Sequence, residues 1–355
     1  MKDRAADFLE FDRVSGAYRI SPEQAVRDDV EKHYWRHVGA AIVKDWRLYV
    51  MLIPMLLVFL FWRYFPMYEL LGCFKVSDSV VPVSEQLFSG FSYFRRLLVG
   101  GDQLSTDFWR ALRNTFILSF YGLCFGFPIP IILALFFNEI RSNAARSVYQ
   151  VLTYLPKFMS TVVMTSLVTM LVKQGSLTTG MGIISQALSG LGVIAPEVAN
   201  AGLLNNPVFF RSIYQISGIW ESAGYDSIVF FAAIIAISPT SYEAAQIDGA
   251  DKMAQMRYVV LPSILSTIVI MLITRIGSLL NIGYEKVLLL YNTNTYVTAD
   301  VVSTFANRIS GMAGTGAAAG TGIAAAAEMM NNVIGMLLVI GANTIARKAS
   351  NTSLY

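Results

Sequence analysis

Six stretches of this chain, roughly 48–65, 112–137, 152–172, 213–237, 262–282 and 325–346, are long and apolar enough to cross a bilayer, which takes about 20 residues of helix. They predict an all-α integral membrane protein with six transmembrane helices. Composition agrees. Of 355 residues 55% are hydrophobic and 14% charged, against the roughly 25% charged residues of an ordinary soluble domain. Too little charge is present to coat a globule of this length, so part of the solvent must be lipid. The net charge of +3 is spread along the chain. No basic cluster points to nucleic acid, and a mildly basic balance suits inner loops that face anionic lipid.

The second stretch contains Pro128 and Pro130, and the third has Pro156 near its start. Neighbouring helices can satisfy the carbonyls that proline frees, so kinks rather than breaks are expected. Residues 177–194 are short for a seventh span and carry Gly180, Gly182, Gly190 and Gly192; a packed outer segment is expected there. Cys73 and Cys124 have no CxxC spacing, and Cys124 falls inside an apolar stretch, so neither a disulfide framework nor a redox role is indicated. The first 45 residues are polar and charge-balanced. A signal peptide is therefore not expected, and the first span would act as an uncleaved anchor.

Six spans place both termini on one side, and basic residues indicate the cytoplasmic side. The loops 138–151 and 238–261 carry Arg141, Arg146, Lys252 and Arg257, four basic residues in 38, against eight in 128 for the opposite loops. Lys44 and Arg47 before the first span, and Arg347 and Lys348 after the last, agree; Arg110 points weakly the other way. Residues 22–46 read as an amphipathic helix lying on the membrane surface, with Tyr34 and Trp35 at the interface. His33 and His37 stand four apart, yet no further ligand accompanies them and the glutamate of the zinc-protease pattern is missing. No metal site is expected.

The most informative segment is the loop 238–262, SPTSYEAAQIDGADKMAQMRYVVLP. Thr240 followed by Glu243 predicts a capping box at the start of a short helix over 241–247. Gly249 can end that helix in a left-handed conformation. Asp248 can cap a second helix running towards Tyr258, and Pro262 suits the first turn of the fifth span. Two short helices joined by a tight turn are therefore expected at the cytoplasmic surface. Ala244 and Ala245 would give the first a smooth face that a partner groove could grip.

Glu243-Ala244-Ala245, then Asp248-Gly249-Ala250, Val259 and Leu261-Pro262 resemble the EAA loop of binding-protein-dependent ABC importer permeases. Val259 stands where isoleucine is commoner. The resemblance implies a type I ABC importer permease fold in a bacterial plasma membrane, and a role for Glu243, Ala244, Ala245, Asp248, Gly249 and Ala250 in docking on an ATP-hydrolysing subunit. The run Gly283-Tyr284-Glu285-Lys286-Val287-Leu288-Leu289-Leu290-Tyr291-Asn292, with Tyr154-Leu155-Pro156-Lys157-Phe158-Met159-Ser160 and Asn343-Thr344-Ile345-Ala346-Arg347, is similar to permeases for oligosaccharides and polysaccharide fragments. The piece 311–327, rich in glycine and alanine, departs from that pattern and suggests a flexible outer loop entering a closely packed helix start. The implied organisation is a cytoplasmic extension over 1–45, a six-helix permease domain over 46–347 and a cytoplasmic tail over 348–355.

No GxxxxGK[ST] occurs, so the chain has no P-loop to cradle ATP phosphates. The resemblance supplies that function through partners: two ATP-binding subunits holding ATP and magnesium, a second homologous permease and an extracytoplasmic sugar-binding protein. Ionisable groups within spans are costly and mark paths or partners; among them are Glu221 and Asp226 in the fourth and Arg275 in the fifth. Trp220 and Tyr225 could stack on pyranose rings while Glu221, Asp226, Arg275 and Asn281 bind hydroxyls or charge. The competing reading is a purely structural pair between Arg275 and Glu221 or Asp226. An ion-gradient-driven secondary transporter is the alternative function, but it leaves the EAA loop without a purpose, and no inverted repeat is evident. A membrane-embedded enzyme would need a convergent acid, base or metal site, whereas both histidines lie in the tail.

Overall fold

A computed structural model of the chain describes residues 9–12, 17–20, 34–75, 85, 87–175, 180–311 and 321–350. The chain divides into two compact units, Met1–Glu69 and Leu70–Tyr355. The first contains an antiparallel hairpin that the sequence did not suggest, β1 (Leu9–Asp12) paired with β2 (Ala17–Ile20) in the register Leu9↔Ile20. It adds a small β element to an otherwise all-α chain. Helix α1 (Tyr34–Lys44) occupies the second half of the amphipathic segment; 21–33, and with them His33, lie outside the described residues. Helix α2 (Trp46–Phe59) then opens the first span, which is helical throughout Trp46–Phe74.

The second unit carries α3 (Ser92–Val99), α4 (Gln103–Tyr121), α5 (Pro128–Glu139), α6 (Asn143–Tyr154), α7 (Thr161–Val172), α8 (Ile183–Gly190) and α9 (Pro196–Ala201). It continues through α10 (Pro207–Ile235), α11 (Pro239–Ile247), α12 (Lys252–Gln255), α13 (Leu265–Gly277), α14 (Tyr284–Leu290), α15 (Val302–Ile309) and α16 (Thr321–Ser350). Trp46–Phe74, Gln103–Glu139, Pro207–Ile235 and Thr321–Arg347 are each long and apolar enough to cross a membrane. The other two expected spans are bent: Asn143–Phe158 meets Thr161–Val172 at 100°, and Lys252–Ser263 meets Leu265–Gly277 at 61°. Six spans result if each bent pair counts as one. Ile132 and Phe136 on α5, and Met336, Leu337 and Ile340 on α16, stay exposed, as lipid-facing side chains do.

Proline explains where the helices deform. The π-helical turns Leu60–Tyr64, Gly122–Gly126 and Met256–Val260 each end two residues before a proline: Pro66, Pro128 and Pro262. A proline has no N–H for the carbonyl four residues back, which is Trp62, Cys124 or Tyr258. The i→i+5 bonds are made just before the proline, from Phe65 N to Leu60 O and from Leu261 N to Met256 O, so the helix widens into a π turn and continues. Pro156 behaves differently. It sits in a 3-10 turn, Leu155–Phe158, after which the chain swings out and Ser160 caps α7 by accepting from Val163 N at 3.3 Å. The expected kink in the third span is therefore a break. The outer segment over 183–190 is the short helix α8.

Four buried clusters organise the second unit. Leu97, Phe108, Ala111, Val302, Phe305, Ala326 and Ala327 join α3, α4, α15 and the start of α16, so the alanines entering α16 do pack closely; 312–320 lie outside the described residues. Leu118, Val168, Phe210, Val287 and Leu290 join α4, α7, α10 and α14, and Val172, Ala199 and Leu203 form a smaller cluster beside them. Ala134, Phe230, Ile234, Val260 and Ile264 join α5, α10 and the residues leading into α13.

The tightest helix contact is made by Gly224 on α10. A Cβ there would lie 2.1 Å from Thr153 O and 2.5 Å from its carbonyl carbon. Backbone atoms cannot swing aside as a side chain would, so α6 must retreat from α10. Gly224→Ala is expected to destabilise the chain by roughly 1–3 kcal/mol, the usual cost of overpacking. A lowered thermal midpoint of the detergent-solubilised protein would show it, and an unchanged midpoint would contradict this contact.

Candidate functional site: a charged cavity and an inner-loop helix pair

Between α4, α10 and the segment 278–283 lies a cavity of about 460 Å³. Its lining comes from Leu118, Ser119, Gly122, Leu123 and Gly126 on the second span, and from Tyr214, Gln215, Gly218, Glu221 and Ser222 on α10. Both sets sit halfway along their spans. Tyr214, Gly218, Glu221 and Ser222 are spaced three, four and seven or eight apart, so one helix face serves the cavity. Glycine at 122, 126 and 218 keeps it open: a Cβ there would touch Gln215, Ile219 and Lys286 at 3.6–3.8 Å.

The third wall is unwound backbone. After α13 ends at Gly277 the chain runs irregularly to Gly283, and three of its carbonyls are taken by side chains from three helices. Ser119 Oγ donates to Leu279 O, Asn331 Nδ2 to Leu280 O at 3.1 Å, and Ser303 Oγ to Ile282 O at 3.0 Å. Asn281 and Ser278 face the cavity from this segment. The outer helices beyond it are tied down in the same way. Asn114 Nδ2 donates to Val297 O and Asp300 O at 3.0 and 3.1 Å, and Arg308 pairs with the fully buried Asp300 at 2.8 Å.

Four charged groups line the cavity: Glu221, Lys157, Arg275 and Lys286. Lys286 Nζ donates to Glu221 Oε2 at 2.9 Å and lies 5.6 Å from the Tyr214 ring centroid. Both members of the pair are largely buried, at 13% and 18% side-chain exposure. The Arg275 pairing proposed from sequence is therefore replaced: Glu221 is held by Lys286, and among the described residues no ion pair engages Arg275 or Asp226. One acid against three bases leaves the lining at net +2.

Of the six path residues expected from sequence, the cavity gathers Glu221, Arg275 and Asn281. Trp220 sits about 100° round the helix from Glu221 and lines a separate apolar cavity of about 440 Å³ with Ile216, Leu171 and Leu188. Tyr225 is 44% exposed and meets Phe158 edge-on at 6.1 Å. Asp226 is half-buried outside the lining. Lys157 and Lys286 were not assigned to a site from sequence. They lie in YLPKFMS, near the start of the third expected span, and in GYEKVLLL, just beyond the fifth.

The inner loop forms the second part of the site. Helix α11 begins at Pro239, two residues earlier than expected, and the predicted capping box is absent; Ser238 and Thr240 hydroxyls bond each other at 2.8 Å instead. Proline at the first helical position, with its φ preset, makes the early start favourable. The end is as expected. Gly249 has φ +78°, Ala250 N donates to Ala245 O at 2.9 Å and Gly249 N to Gln246 O at 3.0 Å. This is a Schellman closure. Asp251, not Asp248, caps α12, its Oδ1 accepting from Ala254 N at 2.7 Å; Asp248 is the last residue of the α11 closure.

Glu243, Ala244, Asp248 and Gly249 are exposed and Ala245 and Ala250 partly so, while Ile247 and Met253 stand 87% and 67% exposed beside them. On the opposite side Tyr242 packs against the cluster of Ala134, Phe230, Ile234, Val260 and Ile264. Burial, then the nearby Glu139 carboxylate, push its phenol above the ordinary range, against a hydrogen bond with Asn138. Lys252 reaches Glu139 at 3.2 Å, tying α12 to the inner end of α5.

Comparison with known proteins covers both parts of the site. The family model for the binding-protein-dependent transport system inner membrane component matches residues 126–327. The polygalacturonan/rhamnogalacturonan transport system permease protein YteP of Bacillus subtilis (strain 168) is 33% identical over 314 residues, 88% of this chain and 92% of that protein. A solved bacterial ABC transporter involved in the import of the acidic polysaccharide alginate has a chain that superposes with TM-score 0.75 at 36% identity, covering 88% of this chain and 99% of its own. A second structure, the bacterial alginate transporter in complex with an alginate pentasaccharide-bound periplasmic protein, gives TM-score 0.74 at 37% identity, covering 89% and 99%.

The Glu221–Lys286 pair generates a direct test. Removing one partner leaves a poorly hydrated charge behind, whereas removing both does not. Lys286→Met alone is expected to cost about 1–3 kcal/mol of stability. Lys286→Met with Glu221→Gln should recover most of that, read as a coupling energy in a thermal double-mutant cycle. Simple additivity would show that the pair carries no interaction.

Proposed function

This chain belongs to the family of binding-protein-dependent transport system inner membrane components, and we propose that it is one of two permease subunits of an ATP-driven oligosaccharide importer. The observation that carries the reading is that one continuous family match, over 126–327, contains the helix pair of the loop 238–262 and all of the cavity lining except Leu118, Ser119, Gly122 and Leu123. A transporter needs these two parts in one body. The cavity offers Ser119, Gln215, Ser222 and Asn281 as hydroxyl partners for a sugar. At the loop, the rigid closure at Gly249 presents the small exposed face of Glu243, Ala244 and Ala245.

In this reading α11 docks on an ATP-hydrolysing partner, with Glu243, Ala244, Ala245, Asp248, Gly249 and Ala250 forming the contact. ATP and its magnesium belong to two such partners, in keeping with the absence of a P-loop motif from this sequence. A second homologous permease completes the membrane path, and an extracytoplasmic binding protein delivers the oligosaccharide. Closure of the ATPases would push on α11 and shift the spans between inward- and outward-facing states.

Gly249 separates docking from folding. A Cβ at this position meets no atom within 4 Å, so the cost of a substitution is the left-handed backbone alone, about 1–2 kcal/mol. Gly249→Asp should therefore insert and fold, yet deform the docking turn. A pull-down of the solubilised chain from its native membrane is expected to bring a second permease and an ATPase with wild type. The mutant is expected to keep the permease and lose the ATPase. Wild type arriving without any ATPase would overturn the importer reading in favour of ion-gradient-driven transport.

A further inference from the structure

The cavity's cations outnumber its acids, and one cation is held by an acid of the protein's own. Lys286 is paired with Glu221 at 2.9 Å, while Arg275 and Lys157 face the same space with no acid of the lining left to neutralise them. A purely neutral sugar would leave Arg275 and Lys157, both exposed to this cavity, without a counter-charge. A sugar carrying carboxylates would balance them. A planar guanidinium is the group best matched to a carboxylate, by two parallel hydrogen bonds.

The placement of the pair adds a second feature. Glu221 projects from the middle of α10, whereas Lys286 comes from α14, across the unwound 278–283 segment. The bond therefore spans two elements at the cavity wall, and its acid has the same chemistry as a uronate.

We propose that this cavity recognises carboxylate-bearing sugar units, that Arg275 is their first receptor, and that Glu221 is an internal stand-in for the substrate carboxylate on Lys286. An incoming uronate unit exchanges with Glu221, so Lys286 is never left without an anion during passage. The inference rests on the permease reading. It assigns Arg275 and Lys286 as specificity-determining residues and gives Glu221 the role of a competitor rather than a ligand. That role has an unusual sign: removing Glu221 should strengthen substrate binding.

The test uses the complete transporter, with its partner permease, ATPases and binding protein, reconstituted in liposomes. The probes are pentasaccharides of alginate and of polygalacturonan, and the same compounds with their carboxyls reduced to alcohols. Comparing variants on one substrate cancels the binding protein's own selectivity. Arg275→Gln is expected to raise the half-saturating concentration of a transported uronate about tenfold or more, the usual weight of a charge-assisted bond. Glu221→Gln should lower it severalfold, Glu221→Asp should lower it less, and Lys286→Met added to Glu221→Gln should abolish the gain.

A merely structural pair predicts the reverse for Glu221→Gln: a loss of uptake with no gain in apparent affinity, and that result overturns the proposal. Co-purification of the ATPases reports whether each variant has folded and assembled, and Glu221→Asp carries the test if Glu221→Gln does not assemble. Equal ATP-dependent uptake of charged and reduced probes, or uptake of the reduced ones alone, overturns the proposal and leaves the importer reading standing. Failure of wild type to import the charged probes with ATP overturns the proposal, whereas the importer reading falls only if no ATPase co-purifies with wild type.

Discussion

In hydrocarbon an unpaired carbonyl has no water to turn to, and this constraint accounts for the shape of the protein where it matters most. The chain deforms its helices before three prolines and leaves the helix altogether after Gly277. Where proline removes an N–H, a π turn lets the ladder skip one residue and resume. Where the backbone unwinds altogether, over 278–283, Ser119, Asn331 and Ser303 supply the missing donors from three different helices. These are sequence separations of 160, 51 and 21 residues. The segment is thus held by three distant helices in addition to its own local turns.

That arrangement is what makes a polar cavity available. An uninterrupted helix would turn its carbonyls inward and present only side chains. The unwound segment brings Asn281 and Ser278 to the wall and lets Lys286, from the helix beyond it, reach back to Glu221. Glycine at 122, 126 and 218 removes the side chains that would otherwise fill the space. The ties between Asn114 and the backbone at Val297 and Asp300 hold the outer helices over the same region. Charge in the cavity and order in its wall therefore have one origin.

The sequence displayed the spans, because a long apolar run carries its own evidence, and it displayed the inner loop, because Gly249 and the alanines beside it are local signals. It also marked Glu221, Arg275 and Asn281, since polar groups stand out in apolar stretches. What it could not display was anything settled by a distant residue. Pro128 and Pro156 look alike as letters, yet one continues through a π turn and the other ends in a 100° break. By hydropathy Lys157 sits near the start of the third span and Lys286 beyond the fifth, and only the bend of the third span and the return of α14 bring them to one cavity. Trp220 was grouped with Glu221 by adjacency, although one step along a helix is 100° of rotation. The Thr240–Glu243 pattern suggested a cap, but Pro239 had already opened the helix.

The two halves of the site are joined by a single element. Phe230 and Ile234, which pack with Tyr242 under the inner-loop helix, belong to the same unbroken α10 as Glu221. Thirteen residues of helix separate Ile234 from Glu221, a distance of about 20 Å. The second, third and fifth spans each carry a π turn or a break, but α10 does not. Packing density makes such a helix move as a body rather than yield along its length. Lys286 stands on α14, whose Val287 and Leu290 pack in one cluster with Phe210 of α10 and with Leu118 and Val168, so in the proposed importer a push at α11 would reach the Glu221–Lys286 bond through both α10 and this cluster. Coupling in the strict sense requires that both ends bias the same two-state element. In the proposed importer that element would be α10, the one helix that carries both Glu221 and the residues packed under α11.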